Sequence, residues 1–477
     1  MKITGAEAVL LSLIEEDVDT IFGYPGGAII PVYDALYDKK DKLRHILVRH
    51  EQGAVHAAEG YARIKGKVGV CIVTSGPGAT NLVTGLADAL SDSIPLVCIS
   101  GQVVSPLLGS DAFQETDVIG ITMPVTKWNC QITHASEIAE VMAKAFYVAR
   151  TGRPGPVMID ISKDAQAAVT DFKYSKCTRL RSYLPFPKVQ KKEIDAAVSL
   201  INSSRKPLIL AGHGVLISHA ERELLQFAEK TGAPVALTLL GLSAFPSSHP
   251  LYVGMLGMHG NVGPNINTNK CDLIIAVGMR FDDRITSDLK TYAKQASVIH
   301  IEIDASEFNK NVEADVKILA DAGDALRALL PKVKQSGNSE WLKSFREHDK
   351  LEYDMVINKK LNSKGSAIKM DEVVDLVCSL TKGDAIIVSD VGQNQMVAAR
   401  NYKFSRTDSW VTSGGLGTMG FGLPAAVGAK IAAPDREVVL FAGDGGFQMT
   451  LQELGTVAQT GAAVKIIVLN NRFLGMV

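Results

Sequence analysis

Short apolar runs alternate with longer helical patterns from one end of the chain to the other. In residues 1–170 the runs 43–48, 68–74, 96–100 and 157–161 contain almost no polar alternation. Such runs, separated by helical periodicity, predict parallel strands buried on both faces of a helix-covered sheet. The polar, basic stretch 171–190, with prolines at 185 and 187, interrupts this rhythm and reads as a linker. A second block, 191–332, carries candidate strands at 207–211, 235–238, 273–277 and 298–303. Residues 333–367 are charged and poor in apolar periodicity, with Gly337-Asn338-Ser339 and the pair Lys359-Lys360, and read as a second, partly helical linker. A third block, 368–477, has candidate strands at 385–389, 410–412, 438–441 and 464–469. The expected fold class is therefore α/β, with three doubly wound, mostly parallel-sheet domains. A length of 477 residues agrees with that number at roughly one domain per 150 residues.

Composition adds exclusions. Lys and Arg total 50 against 51 Asp and Glu, so no net charge steers the chain toward nucleic acid or an anionic membrane. No apolar run is long enough to span a bilayer, and residues 1–7 lack the hydrophobic core of a signal peptide. The six cysteines, at 71, 98, 130, 177, 271 and 378, form no Cys-x-x-Cys pair. A reducing cytoplasm is the expected setting.

Candidate chemistry concentrates where strands end. Gly443-Asp444-Gly445 follows one apolar run, and Asn470-Asn471 follows the next. A carboxylate, a side-chain amide and a nearby backbone carbonyl suit magnesium, a hard cation that shares oxygen ligands with phosphates. Glu51 follows another run and opens a helical pattern. It fits either a helix-dipole partner or a buried carboxyl of raised pKa that exchanges a proton with a cofactor nitrogen. Gly23-Tyr24-Pro25-Gly26-Gly27-Ala28 offers close backbone approach and free amides, or a plain turn. Asp111-Ala112-Phe113-Gln114-Glu115-Thr116-Asp117 is dense in polar groups, with Phe113 the residue expected in the core. Gly212-His213-Gly214 follows a strand as phosphate-cradling turns do. In Arg280-Phe281-Asp282-Asp283-Arg284 the charges pair with one another or leave an arginine to clamp a carboxylate. The glycine-rich turns 74–81 and 413–419 give the first and third blocks similar layouts.

Taken in order, these segments resemble the thiamine-diphosphate-dependent decarboxylase family, and within it most closely the acetohydroxyacid (acetolactate) synthase catalytic subunits. The resemblance also rests on Arg49-His50-Glu51-Gln52-Gly53-Ala54, Gly257-Met258-His259-Gly260 and Gly414-Gly415-Leu416-Gly417-Thr418-Met419-Gly420. It implies a pyrimidine-binding, a central FAD-binding and a diphosphate-binding domain. It further implies active sites shared between two copies of the chain, in a homodimer or dimer of dimers, and a small regulatory subunit. The implied reaction decarboxylates pyruvate and transfers the two-carbon unit to pyruvate or 2-ketobutyrate, opening branched-chain amino-acid synthesis.

Carried onto this sequence, the resemblance gives Glu51 the proton exchange with the pyrimidine ring and makes Met419 the wedge that holds the cofactor bent. Gly27, Phe113, Gln114 and Lys163 line the reaction pocket, and Arg284 orients the acceptor carboxylate. Asp444, Asn471 and the backbone carbonyl of Phe473 are the implied magnesium ligands. Thiamine diphosphate contacts are Pro25, Thr74, Pro77, Asn81, Val391, Gly392, Gln393, Asn394, Gly417, Gly443, Gly445 and Gly446. FAD contacts are Arg153, Gly212, Gly214, Thr238, Leu239, Met258, His259, Gly278, Arg280, Glu302 and Asp321. Asn394 stands where many members carry His, and Val104 where they often carry Pro. The family runs on for some tens of residues past Gly475-Met476-Val477, so the third domain is expected to be incomplete at its carboxy end. Alternatives are a pyruvate oxidase-like flavoenzyme, a flavin-free acetolactate synthase and an inactive regulatory paralogue. Arg280–Arg284 and Asp111–Asp117 count against the first two. The presence of Glu51, Asp444 and Asn471 counts against the third.

Overall fold

The computed structural model describes residues 1–357 and 368–477; Lys359-Lys360 lies outside the described residues. The chain forms two compact units. The first comprises Met1–Pro185, Ile386–Gln393 and Val411–Val477; the second comprises Phe186–Ala385 and Asn394–Trp410.

The first unit opens with β1 (Lys2–Thr4), followed by β2 (Thr20–Gly23), β3 (Arg44–Leu47), β4 (Gly69–Val73), β5 (Leu96–Gln102), β6 (Trp128–Ile132), β7 (Pro156–Ser162) and β8 (Val169–Asp171). β2 to β7 form a parallel sheet in the order β3-β2-β4-β5-β7-β6. Every residue of β4 and β5 is buried, because both sheet faces are covered. Val70, Ile72, Val97 and Ile99 join one core, while Cys71, Val73 and Cys98 join the other, as alternating side chains require. Each large apolar side chain removed from water this way contributes about 1.5–3 kcal/mol. β1 pairs antiparallel with β8.

The second unit contains β9 (Pro207–Ala211), β10 (Val235–Leu237), β11 (Tyr252–Met255), β12 (Leu273–Val277), β13 (Ser297–Glu302) and β14 (Val316–Leu319). All are parallel, in the order β11-β10-β9-β12-β13-β14. The helix Ser339–Glu352 falls in the stretch read from sequence as a partly helical linker. Its Trp341 and Phe345, one helical turn apart, are buried in the core of this unit, and Trp341 Nε1 donates to the Pro207 carbonyl at 2.9 Å.

The last sheet has β15 (Ile386–Ser389), β16 (Trp410–Thr412), β17 (Val438–Gly443) and β18 (Val464–Leu469), in the order β16-β15-β17-β18. β15, β17 and β18 run parallel. Within the first unit the helices Glu51–Lys65 and Gly422–Ala432 meet almost backbone to backbone. A Cβ on Gly60 would sit 2.1 Å from the Ala425 carbonyl oxygen, and one on Gly428 would sit 1.8 Å from that of Ala57.

Strand order reverses between β2 and β4, between β9 and β12, and between β15 and β17, and in the first sheet again where β6 lies outside β7. Open α/β sheets bind ligands outside the carboxyl ends of strands at such reversals. The three sheets therefore present three candidate crevices. No helix among the described residues is long and apolar enough to cross a membrane.

Candidate functional site

The crevice of the last sheet gathers the candidate metal ligands. Gly443 on β17 pairs with Leu469 on β18, so Asp444 and Asn470-Asn471 leave neighbouring strands at the same level. Asp444 begins the short helix Asp444–Met449. Among the described residues nothing hydrogen-bonds or ion-pairs with its carboxylate. Asn471 Nδ2 donates to Gln393 Oε1 at 2.9 Å, and its Oδ1 accepts the Phe473 amide at 3.2 Å. Phe473 itself is exposed. A carboxylate and an amide oxygen side by side are the hard donors magnesium takes. Beside them, Gly417 has φ +75°, and a Cβ there would meet nothing closer than Val391 Cγ1 at 3.9 Å. A Cβ on Gly445 would lie 3.5 Å from Met419 Cε.

Asp390, at the end of β15, carries no assigned role in the sequence reading, yet it organises this crevice. Its carboxylate accepts from the amides of Val391 (2.7 Å), Gly420 (3.1 Å to each oxygen) and Gly422 (2.9 Å). A Cβ on Gly446 would collide with it at 2.3 Å. Burial pushes its pKa up, against the pull of these three amides. The signal that could have found it is an acidic residue directly after a buried strand and before Val391-Gly392-Gln393. Asn394 is buried at the start of the helix Gln393–Asn401.

The crevice of the first sheet brings together Pro25, Gly27, Thr74, Pro77, Asn81 and Glu51. Thr74 follows β4 and its Oγ1 accepts the Ala28 amide at 3.3 Å, tying the 74–81 turn to the 23–28 turn. Glu51 is half-buried as the first residue of its helix. Asn81 Nδ2 donates to its Oε2 at 2.9 Å, and its Oε1 has no hydrogen-bond partner among the described residues. The start of the helix is anchored by Glu453: Glu453 Oε1 accepts the Arg49 amide at 3.0 Å, and burial raises the Glu453 pKa. Phe113 departs from the core position expected of it and is 87% exposed. Gln114, also exposed, has φ +60°, a conformation uncommon outside glycine that clusters at functional sites. Lys163 is exposed at the carboxyl end of β7, as the first residue of the helix Lys163–Ala167. Arg153 donates from Nε to Ser93 Oγ at 2.9 Å.

The crevice of the second unit holds the remaining positions. Gly212 follows β9, Thr238 and Leu239 follow β10, Met258 and His259 follow β11, and Gly278 and Arg280 follow β12. Glu302 ends β13, and Asp321 follows β14. The Gly212 and Gly214 amides are not free to cradle a phosphate, contrary to the reading of that turn: they donate to the carbonyls of Val277 (3.0 Å) and Gly278 (2.9 Å). What the glycines supply is close approach. Gly278 has φ +55°, and its Cβ would lie 2.7 Å from Gly214 Cα. The acids are also engaged. Glu302 Oε1 accepts the Ile303 and Asp304 amides, and Asp321 Oδ1 accepts from Ser218 Oγ and caps the helix Ala322–Leu329. Asp282 caps the turn before Arg284, and burial raises its pKa. Arg284 stands 3.7 Å from Asp283 with both side chains mostly exposed, a pairing too weak to immobilise it. Burial, then Arg284 and Arg400, lowers the His259 pKa.

Comparison with known proteins matches these blocks in order. Residues 3–121 match the thiamine pyrophosphate enzyme N-terminal TPP binding domain. Residues 194–329 match the central domain and residues 390–477 the C-terminal TPP binding domain of the same enzymes. An acetolactate synthase large subunit of Corynebacterium glutamicum is 48% identical over 484 residues, covering 100% of this chain and 76% of that protein. That of Haemophilus influenzae is 45% identical, covering 100% and 83%. A probable acetolactate synthase large subunit of Methanocaldococcus jannaschii is 48% identical, covering 99% and 81%. With three thiamine pyrophosphate domains in sequence and such identity along the chain, it belongs to the acetolactate synthase large-subunit family of thiamine-diphosphate-dependent enzymes.

Proposed function

We propose that the three crevices divide the acetolactate synthase reaction among them. In that reaction pyruvate loses carbon dioxide, and its remaining two-carbon unit adds to the keto carbon of a second 2-keto acid, giving acetolactate from pyruvate or acetohydroxybutyrate from 2-ketobutyrate. Thiamine diphosphate, when bound, supplies the electron sink for the decarboxylated fragment. The observation that carries the proposal is the uncommitted Asp444 carboxylate beside Asn471 on adjacent strands. Asp444, Asn471 and the Phe473 carbonyl would hold Mg2+, with Gln393 fixing the Asn471 amide. Gln393, Asn394 and Gly445 would hold the diphosphate, and Met419 would supply the apolar support for the rest of the cofactor.

Glu51 Oε1 holds and returns the proton, while Asn81 fixes the other oxygen of that carboxylate. Gly27, Phe113, Gln114 and Lys163 bound the pocket, and the Gln114 side chain and the backbone near Gly27 donate to oxygens that gain charge. Arg284 orients the acceptor carboxylate. The second unit holds FAD at the β9/β12 crevice, where backbone approach rather than free amides makes the surface. The assembly is a homodimer or dimer of dimers that shares its sites, with a small regulatory subunit, consistent with relatives named as large subunits. The expected setting is cytoplasmic.

Product analysis of the purified protein with pyruvate tests this reading. Acetolactate formed without consumption of an electron acceptor is the expected outcome; acetyl phosphate or peroxide overturns it. Glu51→Gln is expected to lower kcat about 10²–10⁴-fold, the range for a lost general acid–base, while leaving cofactor binding intact. Turnover like that of the parent protein would remove Glu51 from proton exchange.

A further inference from the structure

A buried set of charged groups lies away from the residues assigned above. On the Glu51–Lys65 helix, His56, Glu59 and Arg63 face Asp88 and Asp92 of the helix Val83–Asp92. All but Arg63 are buried to within 1%, and the Arg63 side chain is 5% exposed. His56 Nδ1 lies 2.9 Å from Glu59 Oε1 and 3.9 Å from Asp88 Oδ2. Arg63 donates to Asp92 Oδ2 at 2.6 Å. Among the described residues His56 Nε2, Glu59 Oε2 and Asp88 Oδ2 have no hydrogen-bond partner. Burying this many ionisable groups is costly, so the arrangement calls for a cause.

The cause lies on the turn that follows β16. Ser413 Oγ donates to Asp88 Oδ1 at 2.7 Å and accepts the Thr418 amide at 2.8 Å. The Gly414 and Gly415 amides donate to Asp92 Oδ2 (2.9 Å) and Oδ1 (2.6 Å). One residue beyond Met419, the Gly420 amide is held by Asp390, and the Gly420 carbonyl accepts from Thr450 Oγ1 at 2.8 Å. Met419 thus sits in a turn gripped on both sides.

We infer that Asp88 and Asp92 are positioning residues for the reaction: through Ser413, Gly414 and Gly415 they fix the turn that sets Met419. The inference rests on the role of Met419 proposed above. Two amides and Arg63 donate to the two oxygens of Asp92, whereas an asparagine would offer one acceptor oxygen and two further donors. Arg63 supplies its countercharge. Asp88 is held mainly neutral, its pKa pushed up to about 8 by burial and by Glu59 and Asp92. The pyrimidine-binding block of a chain therefore shapes the wedge of that same chain.

The test uses the full-length holoenzyme and two variants, Asp92→Asn and the milder Ser413→Ala. Amide hydrogen exchange over 413–418 is expected to quicken at least tenfold in both. kcat is expected to fall 10–100-fold, with KM for pyruvate and the dissociation constant for thiamine diphosphate within about threefold of the parent. The near-ultraviolet circular dichroism of the bound cofactor is expected to change. Adding Met419→Ala to Asp92→Asn should cost little beyond Met419→Ala alone, since both act through one contact. Unchanged exchange over 413–418 overturns the inference, as does a strictly additive double variant. If Met419→Ala alone retains full turnover, the role of Met419 falls, while quickened exchange in Asp92→Asn still establishes the clamp.

Discussion

The crevice of the last sheet and that of the central sheet occupy the same topological position, yet they hold their polar groups in opposite ways. At the β15/β17 reversal Asp444 keeps its carboxylate uncommitted, and Asn471 is steadied by Gln393. At the β9/β12 reversal the Gly212 and Gly214 amides are engaged in internal bonds, and along the same edge of the sheet so are Glu302 Oε1 after β13 and Asp321 Oδ1 after β14. The first arrangement suits a compact, charged ligand that brings its own need for oxygen donors. The second suits a broad, flat one that is met by close backbone approach and apolar surface. Position in a doubly wound sheet marks where a ligand goes; whether the side chains there are already satisfied tells what sort of ligand it is.

This contrast can be broken by four substitutions. Asp444→Asn is expected to have the largest effect. The Mg2+ concentration needed for half-maximal thiamine diphosphate binding should rise about 100-fold or more, above the 10–100-fold typical for loss of a mere supporting partner. Bound flavin, read by visible absorbance, should stay at the parent level; its loss in this variant would end the distinction. Gln393→Ala removes only the support of Asn471, so a shift of about 10–100-fold in the same titration is expected.

Gly278→Ala acts on the other crevice. It places a side chain at φ +55° against Gly214, a strain of about 1–3 kcal/mol. A Tm lower by several degrees and weaker flavin retention are expected, with the Mg2+ titration unmoved. Asp321→Ala should do least. Loss of a helix cap costs about 1 kcal/mol, and flavin occupancy measured after gel filtration should fall less than tenfold. A larger fall would show that the carboxylate reaches past its cap to the ligand.

The sequence reading located strands that coincide with unbroken apolar runs, such as β12 (Leu273–Val277), because such a run leaves little choice. It passed over β1, β2, β6, β8, β11 and β14. β6 carries Asn129 and Gln131 among its five residues, and β11 and β14 have only four residues each. The stretch holding the helix Ser339–Glu352 reads as a partly helical linker because only Trp341, Phe345 and Glu352 of the helix's 14 residues are buried. The glycine- and asparagine-marked turns that follow strands were legible as turns. Asp390, Asp88 and Asp92 were not. Each is a single carboxylate with partners distant in the chain: the Gly420 and Gly422 amides lie 30 and 32 residues from Asp390, the Ser413 hydroxyl 325 from Asp88, and the Gly414 and Gly415 amides 322 and 323 from Asp92, and no local spacing announces such a bond. Phe113 was misplaced for the reverse reason: an aromatic residue usually goes inside, and here the loop around it, with Asp111 and Gln114 both at positive φ, turns it out.

The contact of Gly60 with Ala425 and of Gly428 with Ala57 has a bearing on how this enzyme can be re-engineered. Two helices that touch through bare backbone fit together like a cut joint, with no side chain left to take up slack. A chimaera that exchanges the carboxy-terminal block for that of a distant homologue would therefore have to carry both helices from the same parent, even though they lie more than 350 residues apart in the chain.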